Sequence, residues 1–200
     1  TPKLSINIPK TMFKALTRQS QFISKRTFKV GDKLTSKTPA LSNGIFEDSP
    51  GNAINLGEEI SKVGGKTIIV QLPGSFSPAC TLTHVPGYLS KLNEFKNKGI
   101  DQIFITTVND PFVTKAFKDL QLKLDPKTTE IPVRVFSDSK GEFAKFGDLL
   151  FEDSIKFFGN IRGYRAAIVV DNKGEVLKTF DEPDKVGVAE TSAENVLKNI

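Results

Sequence analysis

The 200-residue sequence has no tryptophan, one cysteine (Cys80), one histidine (His84) and one methionine (Met12). A lone cysteine excludes an intramolecular disulfide and any Cys-x-x-Cys motif. With a single histidine beside it, a dedicated zinc site has too few ligands. A Ser-His-Asp triad would have to run through His84. No apolar run approaches the roughly 20 residues that span a bilayer, so no membrane insertion is expected. Gly64-Gly65-Lys66-Thr67 ends like a phosphate-binding loop, but it lacks the earlier glycine and runs into a strand rather than a helix. No metal, haem, flavin or nucleotide cofactor is implied.

Acidic residues are also missing from one region. Residues 1–31 hold Lys3, Lys10, Lys14, Arg18, Lys25, Arg26 and Lys29, seven of the 28 bases, and none of the 23 acids. The net charge of +5 therefore sits in this arm, because the remainder carries 21 bases against 23 acids. With no nucleic-acid-binding motif present, the charge does not point to a nucleic-acid partner. From Met12 the arm is amphipathic: Met12, Leu16 and Ile23 share one helical face, with Lys14, Arg18 and Lys25 opposite. A basic, acid-poor amphipathic start has the pattern of a mitochondrial transit peptide, and Arg26-Thr27-Phe28 resembles an Arg-x-Phe processing site. The competing reading is a basic tail without an address, in a cytoplasmic protein. The expected division is a targeting-like arm, disordered or cleaved, over 1–29 and one folded domain over 30–200. Met12 is the candidate initiator.

Residues 30–65 are rich in Gly, Pro, Ser and Asn and read as short strands and turns. Lys66–Leu72 is a nearly continuous apolar, β-branched run, the pattern of a strand buried on both faces. Helical periodicity follows through Tyr88, Leu89, Leu92 and Phe95 and stops near Gly99. Gln102–Val108 is a second buried strand, and Pro111–Leu120 is a helix with Phe112, Ala116, Phe117 and Leu120 on one face. Pro132–Phe136 reads as a strand and Gly141–Phe146 as a short helix. Ala166–Val170 and Val176–Phe180 form a hairpin across Asp171-Asn172-Lys173-Gly174. Thr191 and Glu194 have capping-box spacing for a last helix. The order β-α-β-α, an inserted βα, then β-β-α predicts an α/β, largely parallel sheet with the order of a thioredoxin-like fold.

The segment Gln71–Leu89 (QLPGSFSPACTLTHVPGYL) concentrates the chemistry. A buried strand ends at Leu72, Pro73-Gly74 makes a turn, and Ser77-Pro78 starts a helix, with Ser as N-cap and Pro in the first turn. Cys80 then occupies the third helical position, among unpaired N–H groups at the positive end of the helix dipole. Such a place favours thiolate over thiol and makes Cys80 the candidate nucleophile. A strand-to-helix junction is also where α/β sheets present functional groups. The plainer alternative, an inert core thiol, is the commoner state of a lone cysteine.

Pro73-Gly74-Ser75-Phe76-Ser77-Pro78-Ala79-Cys80 with His84-Val85-Pro86-Gly87-Tyr88 resembles the active-site signature of peroxiredoxins, nearest to the type II, or atypical two-cysteine, subfamily. Thr107-Val108-Asn109-Asp110-Pro111-Phe112 and Arg165-Ala166-Ala167-Ile168-Val169-Val170 agree with it, and the likeness runs from about residue 30 to the C-terminus. The resemblance implies that Cys80 is the peroxidatic cysteine and that the Ser77 hydroxyl bonds the peroxide and the sulfur. It further implies that Pro73 shields the nucleophile and that Arg165 holds the thiolate and polarises the O–O bond. Arg162 and Arg134 are weaker candidates for that guanidinium. His84, one turn past Cys80, is expected to pack or hydrogen-bond rather than act as a base.

The sequence departs from the subfamily's name in lacking a resolving cysteine. The resemblance therefore implies a one-cysteine, thiol-dependent peroxidase acting on hydrogen peroxide and organic hydroperoxides. Its sulfenic acid would be resolved by an external thiol, with glutathione, glutaredoxin or thioredoxin as partners, and the chain is expected to form a homodimer. The rival function is a redox sensor or interaction protein working through mixed disulfides of Cys80.

Overall fold

The computed structural model describes residues 27–124 and 131–200; the expected targeting helix of the arm lies outside the described residues. The strands are β1 (Ile45–Phe46), β2 (Lys66–Leu72), β3 (Ile100–Thr107), β4 (Val133–Asp138), β5 (Leu150–Phe151), β6 (Arg162–Gly163), β7 (Ala166–Val170) and β8 (Val176–Asp181). The helices are α1 (Leu56–Ser61), α2 (Val85–Ser90), α3 (Leu92–Asn97), α4 (Pro111–Leu124), α5 (Glu142–Phe146), α6 (Ile155–Phe158) and α7 (Ala193–Lys198). Six strands form one sheet in the order β1-β4-β3-β2-β7-β8, while β5 and β6 pair separately. Strands β2, β3 and β4 run parallel, whereas β1, β7 and β8 are antiparallel to their neighbours. This is the expected α/β, thioredoxin-like architecture, but the sheet is mixed rather than largely parallel: two of its five pairings are parallel, because β1 and β7 join β4 and β2 in the antiparallel sense.

The continuous apolar runs have the anticipated cause. Along β2, Ile68, Val70 and Leu72 enter one buried cluster while Ile69 enters the other, and Ile103 and Ile105 part from Phe104 in the same way along β3. Helices cover both faces, so the central strands are mostly apolar, and their buried polar side chains pair with one another, Gln102 with Thr67 at 2.9 Å and Thr106 with Gln71 at 2.7 Å. The first cluster contains Cys80, Tyr88 and Phe95, with the last two rings stacked at 5.3 Å. The hairpin between β7 and β8 closes on Gly174, whose φ of +79° needs a residue without Cβ. The Asp171 carboxylate accepts from the Lys173 and Glu175 N–H groups in that turn.

Two further expectations need correction. Phe28 is only 5% exposed and packs against Phe143 (5.3 Å between centroids) and Phe146 (5.8 Å). A Cβ on Gly147 would fall 2.1 Å from the Phe28 ring, so the two are interlocked. The folded domain thus includes Phe28 rather than starting at residue 30, because an aromatic side chain buries more apolar area in the core than its basic neighbours gain in water. The last helix is capped by Ser192, which accepts from Asn195 N–H at 3.2 Å, one residue later than the Thr191 capping box. Thr191 is fully buried and bonded elsewhere, so it is withdrawn from the capping role.

Candidate active site

Strand β2 ends at Leu72, and Pro73, which is buried, starts the turn that leaves the sheet. The loop is tied across to the end of β3: Ser75 N–H donates to Asn109 Oδ1 at 3.0 Å, as does Thr107 Oγ1. Phe76 takes a left-handed φ of +64° and is half exposed, its ring edge-on to Phe117 at 5.4 Å. Helical structure begins at Pro78, as the Ser-Pro start predicts. The Ser77 carbonyl accepts the first helical bond, from Thr81 N–H at 3.0 Å, together with the Thr81 hydroxyl at 2.8 Å. Ser77 thus occupies the N-cap position with its backbone, and Cys80 the third helical position, three residues along on the same face.

Residues 80–84 then wind as a π turn, Val85 N–H donating to the Cys80 carbonyl. Pro86 gives the reason. It has no N–H for the Leu82 carbonyl, and its ring crowds that carbonyl, so the helix widens locally. Sequence periodicity alone does not reveal this widening.

Cys80 is fully buried, with 0% exposure. Arg165, immediately before β7, is 1% exposed and reaches it: Nη1 donates to Cys80 Sγ at 3.2 Å. The same Nη1 lies 3.0 Å from His84 Nδ1, and Nε and Nη2 donate to the Val186 carbonyl at 3.2 and 3.1 Å. His84 Nε2 sits 2.9 Å from the Thr191 carbonyl, which also accepts from the Tyr88 hydroxyl at 2.8 Å. A guanidinium only donates and a carbonyl only accepts, so the imidazole is neutral with its proton on Nε2. Burial, and then the Arg165 charge, push the His84 pKa down to about 3 against the small opposing pull of the Thr191 carbonyl. His84 is therefore an acceptor for Arg165, in keeping with the hydrogen-bonding role expected of it.

The structure brings Cys80, Arg165 and His84 into contact and places Pro73 and Ser77 on the segment leading to the sulfur. It does not bring Arg134 or Arg162 there. Arg134 pairs with Glu47 and Glu59, and Arg162 donates to the Val108 carbonyl and Asn160. Sequence reasoning missed Asn109, which anchors the nucleophile loop, and the carbonyls of Val186 and Thr191. Backbone acceptors leave no trace in residue identity, but Asn109 did stand within a motif already noted. Among the described residues no group of three or more His, Cys, Asp or Glu could hold a metal ion, and no helix is long and apolar enough to cross a membrane.

A thioredoxin-like domain holding one buried cysteine at a helix start, under an arginine, defines a class of thiol enzymes. Comparison with known proteins narrows it. The Redoxin family model matches residues 29–197. The "Peroxisomal membrane associated protein 20" of Schizosaccharomyces pombe is 36% identical over 156 residues, covering 78% of this chain and 92% of its own. A chloroplastic peroxiredoxin-2E of Arabidopsis thaliana is 36% identical over 172 residues, 84% of this chain and 68% of its own. The crystal structure of peroxiredoxin 5 from Alvinella pompejana superimposes with a TM-score of 0.63 at 31% identity, covering 80% of this chain and 92% of that one. The chain belongs to the redoxin family as a type II peroxiredoxin, a thiol-dependent peroxidase and thus an oxidoreductase. Peroxiredoxins need no prosthetic cofactor.

Proposed function

We propose that Cys80 is the peroxide-reducing thiol and that Arg165, Ser77 and Pro73 serve it, with hydrogen peroxide and organic hydroperoxides as substrates. The observation that carries this reading is the 3.2 Å bond from Arg165 Nη1 to Cys80 Sγ inside a water-excluding core. The thiolate attacks the terminal oxygen of ROOH; the S–O bond forms, the O–O bond breaks, and its electron pair leaves on RO⁻. The terminal oxygen keeps its proton as Cys80–SOH, and water protonates the alkoxide. Charge develops on the leaving oxygen, so the cation held beside the sulfur lowers the barrier, with the Ser77 hydroxyl as the second donor in this reading. Ser77, one helical turn before Cys80, is placed to offer its hydroxyl to the peroxide, and buried Pro73 closes the site to water.

With no second cysteine, resolution is intermolecular. Glutathione attacks the sulfenic acid, giving a Cys80–glutathione disulfide and water. A second thiol, from glutathione, glutaredoxin or thioredoxin, then restores the thiolate. Because the sulfur is fully buried, the first helical turn must open for this step. The acid-free arm supports delivery to the mitochondrial matrix. The relatives' own names place one in chloroplasts and another at the peroxisomal membrane, so the address rests on the arm alone. Its removal point lies before Phe28, whose loss would empty a core position. Family membership supports a homodimer.

Cys80→Ser is expected to abolish peroxide turnover. Mass spectrometry after one equivalent of peroxide should show a mono-oxidised Cys80, replaced by a glutathione adduct when glutathione is present. Retained turnover in Cys80→Ser would refute the assignment. Turnover sustained by thioredoxin, with none on glutathione and glutaredoxin, would refute the reductant.

A further inference from the structure

The Arg165–His84 arrangement depends on two backbone carbonyls, Val186 and Thr191, both in the loop that follows β8. That loop is folded around a buried carboxylate the mechanism does not use. Glu182 is 3% exposed, and its Oε1 accepts three bonds: from Ala189 N–H, Thr191 N–H and the Thr191 hydroxyl, each at 2.8 Å. At the same residue the backbone joins the arginine directly, Glu182 N–H donating to the Arg165 carbonyl at 3.2 Å and Arg165 N–H to the Lys185 carbonyl at 2.9 Å. Between these anchors Asp184 turns the chain by accepting from Val186 and Gly187 N–H at 3.1 and 2.7 Å, with Lys185 in a left-handed conformation.

Burying a carboxylate costs more than burying a hydrocarbon of similar size, and three donors on one oxygen offset part of that cost. The residue makes no bond to the sulfur or to the guanidinium. What it does is close the loop, so that the Val186 carbonyl meets Arg165 Nε and Nη2 while the Thr191 carbonyl meets His84 Nε2. Both restraints on Nη1, the atom that touches sulfur, therefore pass through this loop.

We infer that Glu182 is a positioning residue of the peroxidase site, folding residues 182–191 into the clamp that aims Arg165 at Cys80. The inference rests on Cys80 being the reactive thiol. A carboxylate that merely stabilises the C-terminal segment would move melting temperature alone. A clamp must also move the reactivity of a sulfur that it never touches.

The test is the pH profile of Cys80 alkylation by iodoacetamide from pH 5 to 9, read on the full chain beside the rate of oxidation by hydrogen peroxide. Glu182→Ala is expected to slow alkylation at pH 6.5 by roughly tenfold relative to pH 9 and to slow peroxide oxidation by at least as much. Glu182→Gln keeps an oxygen for the three donors and should restore both to within about threefold. In an Arg165→Gln background, Glu182→Ala should add less than about twofold, because the clamp then has nothing to aim. An unchanged profile in Glu182→Ala, or an equal effect with and without Arg165, would overturn the inference.

If Glu182→Ala does not fold, Thr191→Val decides. It removes one of the three donors while keeping both backbone groups, and should slow alkylation at pH 6.5 by about two- to threefold; no change there overturns the inference. Alkylation needs no peroxide, so a protein that clamps Cys80 yet turns over no peroxide would refute the peroxidase reading and leave the clamp standing.

Discussion

Arg134 and Arg165 both extend from the central sheet into the protein, on β4 and just before β7, and their surroundings are opposite in kind. Arg134 meets carboxylates: Nη2 and Nε contact the two oxygens of Glu47 at 2.6 and 3.0 Å, Nη1 meets Glu59, and the guanidinium lies 4.8 Å from the Phe136 ring centroid. Burial weakens its charged form, but the two carboxylates outweigh that and hold its proton more firmly than in water. Arg165 is more deeply buried, and among the described residues its guanidinium bonds to the Val186 carbonyl, the neutral His84 ring and Cys80. Among the described residues no carboxylate contacts that guanidinium, and the sulfur is the one acceptor there that can carry a negative charge. Two residues of one type thus serve as a structural tie and as an electrostatic tool. The nature of the acceptors, paired carboxylates in one case and a sulfur in the other, separates them.

The largest effect is expected where the guanidinium meets the sulfur. Arg165→Gln should lower the second-order rate of peroxide reduction by about 10²–10³-fold, roughly 3–4 kcal/mol of barrier, as for loss of one oxyanion-stabilising donor. Stopped-flow oxidation of the reduced enzyme measures it; a loss under about tenfold would mean that the sulfur does not need the guanidinium. Arg134→Gln should leave that rate within about twofold and cost stability instead, about 2–3 kcal/mol in urea titration, since it strands Glu47 and leaves Glu59 to Lys62 alone in a partly buried site.

The tie to Glu59 also makes an acid-dependent contribution. Burial raises the Glu59 pKa, but its bonds to Lys62 and Arg134 more than reverse this and hold it below the ordinary carboxylate value. The folded state therefore binds this proton less readily than the unfolded one. Its stabilisation is complete above the unfolded pKa and is lost as pH falls through the depressed value. Arg134→Gln should shrink that acid-side loss. An unchanged acid limb would show that Lys62 alone sets Glu59.

Local pattern revealed the strands that carry these arginines but the role of neither. Lys66–Leu72 and Ala166–Val170 were legible to the residue, because a strand covered on both faces is a nearly continuous apolar run. The Ser77-Pro78 helix start and the position of Cys80 within it follow from capping chemistry, which is also local. Arg165 was located only through the likeness of its strand to a family. What local sequence could not show is contact between distant elements: the loop carbonyls at 186 and 191, the Glu182 carboxylate that orders them, and Phe28 seated beside Phe143. Thr191 illustrates the reason. Its spacing to Glu194 fits a cap, yet a buried carboxylate nine residues upstream takes its N–H and hydroxyl, and the adjacent Ser192 caps the helix instead.

Asp138 sharpens the comparison with the sign of the charge reversed. At the end of β4 its carboxylate accepts from Phe143 and Ala144 N–H at 3.2 and 3.0 Å, and no cation bonds to it among the described residues. It is buried with neutral hydrogen-bond partners and, like Arg165, meets no side chain of opposite fixed charge among the described residues. A guanidinium keeps its proton in such a place, but a carboxylate can acquire one. Burial pushes the Asp138 pKa up to about 6, against the pull of those backbone N–H groups. The folded state thus holds this proton more firmly than the unfolded chain, in which the group titrates near its ordinary value of 3.8. Folding is then favoured by protonation, so stability from this group is present at low pH and is lost as pH rises through 6. Asp138→Asn removes the titration while keeping an acceptor for the helix start. Subtracting its urea-derived stability from that of the wild type should leave a difference that falls by roughly 2 kcal/mol between pH 4.5 and 7. A flat difference would mean that the backbone N–H groups fully replace water around the carboxylate. Neutral partners would then suffice to hold a buried carboxylate charge in this fold.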